Sequence, residues 1–119
     1  MIKIICLGKI KEEYLKSAIE DYSKRISNFH KIEIIELKDD DNIKNEEAQM
    51  LKYFDEKGFK IALDINGIPT KSEDMSLLID QKLMQYANIY FFIGSSNGLT
   101  NEIKEKCDLR LSFGPITMP

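Results

Sequence analysis

Tryptophan is absent from this sequence, histidine occurs once and cysteine twice. One His and two isolated Cys, Cys6 and Cys107, with no CxxC pair, argue against a zinc site. Unpaired thiols suit a cytoplasmic protein. Long apolar runs are missing too. Ile89-Tyr90-Phe91-Phe92-Ile93 is among the longest, and a membrane-crossing helix needs roughly 20 such residues. There is no basic leader with a small-residue cleavage site, so Met1-Ile2-Lys3-Ile4-Ile5-Cys6-Leu7 reads as a strand. Positive charge is not in excess. Lys and Arg number 17 against 20 Asp and Glu, a net charge of -3. That excludes a generally basic nucleic-acid coat and leaves any RNA contact to a local patch or a partner subunit. The phosphate motifs GxGxxG and GxxxxGK[ST] are absent, as is the GxSxG elbow of hydrolases.

What remains is an ordinary globular balance over 119 residues, 43% hydrophobic and 31% charged. This fits a single domain, residues 1–119. Strand and helix patterns alternate. Ile2–Leu7 ends at Gly8. Ile10, Tyr14, Leu15, Ala18, Ile19, Tyr22 and Ile26 recur at steps of three and four, which predicts an amphipathic helix ending near Ser27-Asn28. Ile32, Ile34, Ile35 and Leu37 form a second strand. Asp39-Asp40-Asp41-Asn42 reads as a helix cap and not a metal site. The helix it opens runs from Ile43 to about Lys57, with Ala48, Leu51 and Phe54 inward and Gly58 as its stop.

Phe59–Ile65 is the third strand, closed by the turn signal Asn66-Gly67. Thr70-x-x-Glu73 is a capping box for a helix with Met75, Leu78, Ile79, Leu83 and Tyr86 on one side. Asn88–Ile93 is apolar on both faces, as a central parallel strand is. Thr100 caps a short helix to about Lys106, and Leu109–Phe113 is the fifth strand. The expected architecture is α/β: a largely parallel sheet of about five strands flanked by helices. No helix follows the fifth strand, so one apolar stripe of the sheet is expected to lie uncovered or to meet a partner.

Ligands of open α/β sheets bind beyond the carboxyl ends of the strands. Three glycine-bearing segments collect there: Asp64-Ile65-Asn66-Gly67, Gly94–Gly98 and Gly114–Pro119. Such loops suit an adenosine held by backbone hydrogen bonds and apolar contact. Asp64 stands where α/β enzymes place working acids, and Asp before a turn is also common for structural reasons. His30 and Cys107 read as bystanders, since neither has a catalytic neighbour in sequence.

Several spaced segments resemble the ribosomal RNA large subunit methyltransferase H family. They are Ile4-Ile5-Cys6-Leu7-Gly8-Lys9-Ile10-Lys11-Glu12-Glu13-Tyr14, Ala18-Ile19-Glu20-Asp21-Tyr22-Ser23-Lys24-Arg25, Leu63-Asp64-Ile65-Asn66-Gly67, Phe92-Ile93-Gly94-Ser95-Ser96-Asn97-Gly98-Leu99, and Leu111-Ser112-Phe113 followed by Ile116-Thr117-Met118-Pro119. The resemblance runs through the whole chain in order. It implies the SPOUT class, with a trefoil knot at the carboxyl side of the sheet. It also implies homodimers and methylation of N3 of a pseudouridine in 23S ribosomal RNA on the assembled ribosome. The implied methyl donor is S-adenosylmethionine, with no metal. Cofactor contacts are implied at Leu63, Gly94 and the run Phe113, Gly114, Pro115, Ile116, Thr117 and Met118.

Members of that family continue past the match to Pro119 with a His, a long helix and a His/Tyr tail. Their absence here implies an incomplete knot, weak or absent turnover and no assignable catalytic residue. The alternative is a non-catalytic α/β module that oligomerises through its exposed sheet face. A flavodoxin-like nucleotide binder is a third, generic reading, to which nothing in the glycine loops points.

Overall fold

The computed structural model describes residues 1–7, 31–38, 40–69, 72–94 and 99–112. The helix expected over Ile10–Ile26, His30, Thr70 of the capping box, the segment 95–98 and Phe113–Pro119 lie outside the described residues. The strands are β1 (Ile2–Leu7), β2 (Ile32–Leu37), β3 (Phe59–Pro69), β4 (Ile89–Ile93) and β5 (Leu109–Ser112). The helices are α1 (Ile43–Leu51), which tightens into a 3-10 turn over Lys52–Asp55, α2 (Ser72–Gln85) and α3 (Asn101–Lys106).

The five strands form one sheet in the order β2-β1-β4-β3-β5, and every pairing is parallel. Apolar runs such as IKIICL and IYFFI can be buried on both faces only inside such a sheet. All five residues of β4, the middle strand, are buried. Alternate residues feed two cores. Ile2, Ile4, Phe59, Ile61, Ile89, Phe91 and Leu111 meet Ile79 of α2 on one face. Ile5, Leu7, Ala62, Tyr90 and Phe92 meet Met50 of α1 and Ile103 of α3 on the other. There the Phe54 ring stacks on Phe92 at 4.7 Å and 10°. A pair of that geometry contributes about 1 kcal/mol beyond its buried area.

The amino-terminal rim of the sheet is tied shut. The Met1 ammonium donates to the Ala87 carbonyl at 2.8 Å. Ile89 N–H donates to the Met1 carbonyl and Phe59 N–H to the Asn88 carbonyl, each at 3.0 Å. Asp108 accepts from the Lys60 amide through Oδ2 and donates its own amide to the Lys60 carbonyl, both at 2.8 Å. Lys60 is only 8% exposed, and its ammonium donates to the carbonyls of Glu56 at 2.6 Å and Gly58 at 3.2 Å. It also lies 5.2 Å from the centre of the Tyr90 ring. Gly58 has φ +157°, and a Cβ there would stand 2.6 Å from Tyr90 Cε2 and 2.8 Å from the Asn88 carbonyl. The glycine is therefore required by close approach, and the helix has already ended before it.

Four expectations need correction. First, β3 does not close at Asn66-Gly67. Leu63 and Ile68 both register against Leu111, so four residues are spliced into a strand that resumes in the same direction. An Asn-Gly pair reverses the chain only when a partner strand lies antiparallel beside it, and here β5 is parallel. Second, the helix from Ile43 is α-helical only to Leu51. Third, Ala48 points to solvent, because the inner stripe runs through Ile43, Glu47, Met50, Leu51 and Phe54. Fourth, the apolar stripe of β5 is not bare: Leu111 is buried and Leu109 half-buried in the core that α2 covers. The exposed apolar side chains include Ile34 on the far edge strand, and Leu77 and Met84 on α2.

The acidic cap is as expected. Asn42 Oδ1 accepts from the Lys44 amide at 2.9 Å, and Asp40 Oδ1 accepts from the Asn42 amide at 2.8 Å.

Candidate active site

Parallel strands place all their carboxyl ends on one rim. Leu63 registers opposite Ile93, the last residue of β4, so Leu63 and Gly94 stand side by side at that rim. Leu111 registers opposite Leu63, which brings the end of β5 next to them. Two of the expected cofactor residues, Leu63 and Gly94, are thus neighbours, and both are half-buried. Phe113, Gly114, Pro115, Ile116, Thr117 and Met118 lie outside the described residues. In the chain they follow directly on Ser112, the last residue of β5. The splice in β3 falls at Asp64–Gly67, so the chain leaves the plain ladder where β4 ends.

The chemistry of this rim is that of backbone and apolar surface. Gly94 carries no side chain to stand in front of its main-chain donor and acceptor, and Leu63 beside it is apolar. A flat, uncharged ring system with polar edges fits such a site; a phosphate cluster does not. Among the described residues, no group of three His, Cys, Asp or Glu side chains is placed to hold a metal ion. Both thiols are poor nucleophiles. Burial, with help from Glu36, pushes Cys6 up to about 11, and burial followed by Asp108 pushes Cys107 up to about 12. No helix among the described residues is long and apolar enough to cross a membrane.

One group near the rim was not singled out from the sequence. Glu47 lies on the apolar stripe of α1, with its side chain only 5% exposed. It faces α3, whose first turn carries Thr100 and Glu102. A hydrogen bond shared with Glu102, supported by Lys44 and Thr100, holds the Glu47 carboxyl below the usual range against the opposing effect of burial. The same hydrogen bond and like charge push Glu102 up. The signal in the sequence was a charge at i+4 from Ile43 and i−3 from Met50, inside a stripe otherwise apolar.

The family model described as "Predicted SPOUT methyltransferase" matches residues 1–119. Similar curated proteins carry the name ribosomal RNA large subunit methyltransferase H. The one from Caldicellulosiruptor saccharolyticus is 41% identical over 128 residues, an alignment that covers 100% of this chain and 83% of the relative. That from Caldicellulosiruptor bescii is 44% identical with the same coverage. That from Clostridium novyi is 42% identical over 131 residues, covering 99% of this chain and 82% of the relative. With a match along its full length and an all-parallel sheet whose glycine-bearing strand ends share one rim, the chain belongs to the SPOUT methyltransferase family.

Proposed function

We propose that this chain methylates 23S ribosomal RNA, at N3 of a pseudouridine, with S-adenosylmethionine as methyl donor and the assembled ribosome as substrate. The observation that carries the reading is the register that sets Leu63 beside the Ile93-Gly94 step at the carboxyl rim, in a chain of a methyltransferase family. The relatives' names supply the RNA class.

The residues present fit the donor's adenosyl part. Gly94 would offer main-chain hydrogen bonds to the edge of the base, Leu63 would lie against the ring, and Phe113 to Met118 would supply the further contacts that the family resemblance implies. The bound donor supplies a methyl group already activated on a sulfonium, so the reaction calls for no metal. The chain's task is to align and to exclude water. Aligning two reactants in a fixed geometry contributes several kcal/mol to the barrier. The tied amino rim and the two-sided core make the rim of β4 a rigid platform for that alignment.

The net charge of -3 assigns little of the RNA affinity to this chain's own field. Recognition is then shared with the ribosome surface and a second subunit. A homodimer is supported by Leu77 and Met84, one helical stripe of α2, which are 60% and 88% exposed.

Two measurements test the reading; the weak or absent turnover expected from the sequence finds no support in the family match or the relatives. Isothermal titration with S-adenosylmethionine is expected to show one site per chain. Ribosomes lacking the modification are expected to accept labelled methyl at a single pseudouridine. Absence of donor binding, or label on another nucleotide, overturns it.

A further inference from the structure

The sheet runs β2-β1-β4-β3-β5, and the donor residues Gly94 and Leu63 belong to β4 and β3. The other half of the carboxyl rim is made by β1 and β2, which stop level with each other at Leu7 and Leu37. Cys6 is level with Ile93, so Leu7 is level with Gly94. One residue past Leu37, α1 clamps the chain. The Gln49 carboxamide accepts from the Lys38 amide at 3.2 Å through Oε1 and donates to the Lys38 carbonyl at 2.6 Å through Nε2. Both main-chain groups of Lys38 are satisfied, at the end of an edge strand where fraying is the ordinary outcome. Asp40 donates its amide to Oε2 of the buried Glu46 at 3.0 Å. The side chain on this fixed backbone is an exposed lysine. Among the described residues Lys38 has no ion-pair partner, whereas Lys44 in the first turn of α1 is taken up by Glu47 at 3.6 Å. Asp40 and Asp41 follow Lys38 closely, but they immediately precede α1, whose positive N-terminal end offsets their charge. Asp40 Oδ1 is also engaged by the Asn42 amide at 2.8 Å.

We infer that the RNA strand crosses the rim over the carboxyl ends of β1 and β2, and that Lys38, held in place by Gln49, contacts a phosphate next to the target nucleotide. The inference rests on the proposed function and deepens it, by naming the part of the rim that receives the RNA. With the donor at β4 and β3, the ends of β1 and β2 are the stretch of the same rim from which an acceptor base reaches the methyl group without displacing the donor. Strand spacings of about 4.8 Å across β2, β1 and β4 put the Lys38 backbone roughly 10 Å from Gly94. A nucleotide whose base meets the donor carries its phosphates at a distance of that order. Phosphate contacts fix the register and orientation of a nucleic acid strand. In a chain with a net charge of -3, such a contact is local, and its geometry counts for more than the overall field. Gln49 is then a positioning residue: it touches no RNA and sets where the Lys38 ammonium can reach.

The test measures binding of the full chain to ribosomes lacking the modification, over a salt series, beside titration with S-adenosylmethionine. Lys38→Ala is expected to raise the Kd for ribosomes about three- to tenfold at low salt and to reduce the log–log salt slope by about 1, with the Kd for S-adenosylmethionine unchanged. Lys38→Arg, which keeps the charge, is expected to stay within about twofold of the original chain. Lys57→Ala removes the same charge from an exposed position at the amino-terminal rim and is expected to change neither quantity. Gln49→Ala is expected to weaken ribosome binding less than Lys38→Ala, and the double variant to be no weaker than Lys38→Ala alone, as for two residues acting through one contact. An unchanged ribosome Kd in Lys38→Ala overturns the inference. So does an equal loss in Lys57→Ala, which would make the effect one of net charge, and so do fully additive effects of Lys38→Ala and Gln49→Ala. Failure of the unaltered chain to bind the donor is a separate result: it removes the proposed function itself and is seen before any variant is made.

Discussion

The two rims of the sheet are built on opposite principles. At the amino-terminal rim, main-chain groups of Met1, Phe59, Ala87, Asn88, Ile89 and Lys60 satisfy one another, and Lys60 and Asp108 add side-chain ties. At the carboxyl-terminal rim the ladder ends in Gly94 and in the four-residue splice of β3. The first arrangement spends its polar groups on the protein itself. The second ends in a glycine and an irregular strand, where backbone can be approached closely. A rigid frame with approachable backbone at one rim suits a site that works by alignment.

The contrast is broken most directly at Gly94. Gly94→Leu is expected to raise the Kd for S-adenosylmethionine by about 100-fold or more, about 2.7 kcal/mol, with little change in melting temperature; titration and a thermal melt read the two halves. Gly58→Ala is the mirror experiment. A Cβ forced against Tyr90 and the Asn88 carbonyl is expected to cost about 2–3 kcal/mol of stability, visible in a urea melt, while donor affinity of the folded protein is unchanged. Lys60→Met removes two hydrogen bonds to main-chain carbonyls and is expected to cost about 1–2 kcal/mol, again with donor affinity intact. Loss of donor binding in either amino-rim variant would erase the division of labour between the rims.

The smallest effect concerns pH. Glu102 is pushed up by the hydrogen bond and charge of Glu47, with Lys106 and Lys44 opposing; Glu47 is held down by Glu102, Lys44 and Thr100. A raised carboxyl stabilises the fold fully below its unfolded value and loses that contribution as pH rises through its folded value. A lowered one contributes above its unfolded value and loses it as pH falls through the folded one. The pair therefore favours mild acid, where Glu102 keeps its proton and Glu47 has lost its own. Glu102→Gln is expected to flatten the decline of melting temperature on going from mild acid towards neutrality. A melt series across that window checks it.

Much of this architecture was legible in the residues. IKIICL and IYFFI carry apolar side chains on both faces, which only an interior parallel strand tolerates, and β1 and β4 are the two that lie side by side in the middle. The three glycine-bearing segments were expected at the strand ends, and the register places Leu63 and Gly94 together there. What escaped the sequence depends on partners far along the chain. Asn66-Gly67 carries a turn signal, but a parallel β5 converts the turn into a splice. Ala48 looks apolar, yet the helical phase set by Ile43, Met50 and Phe54 turns it outward. Glu47 looks like a surface charge and is buried, because the helix that packs against α1, α3 with its Glu102, arrives some fifty residues later. Local pattern gives the type of element; the phase and the exceptions are decided by tertiary contacts.

The strand order has a consequence for how the molecule is made. β1 precedes one of its two neighbours, β4, by more than eighty residues: Ile2 pairs with Ile89, and the Met1 ammonium with the Ala87 carbonyl. Such remote pairings slow folding, since the intervening polymer must be gathered in before any contact rewards it. β1 therefore holds an unfilled β-edge until β4 has been made, and the sheet closes only after that.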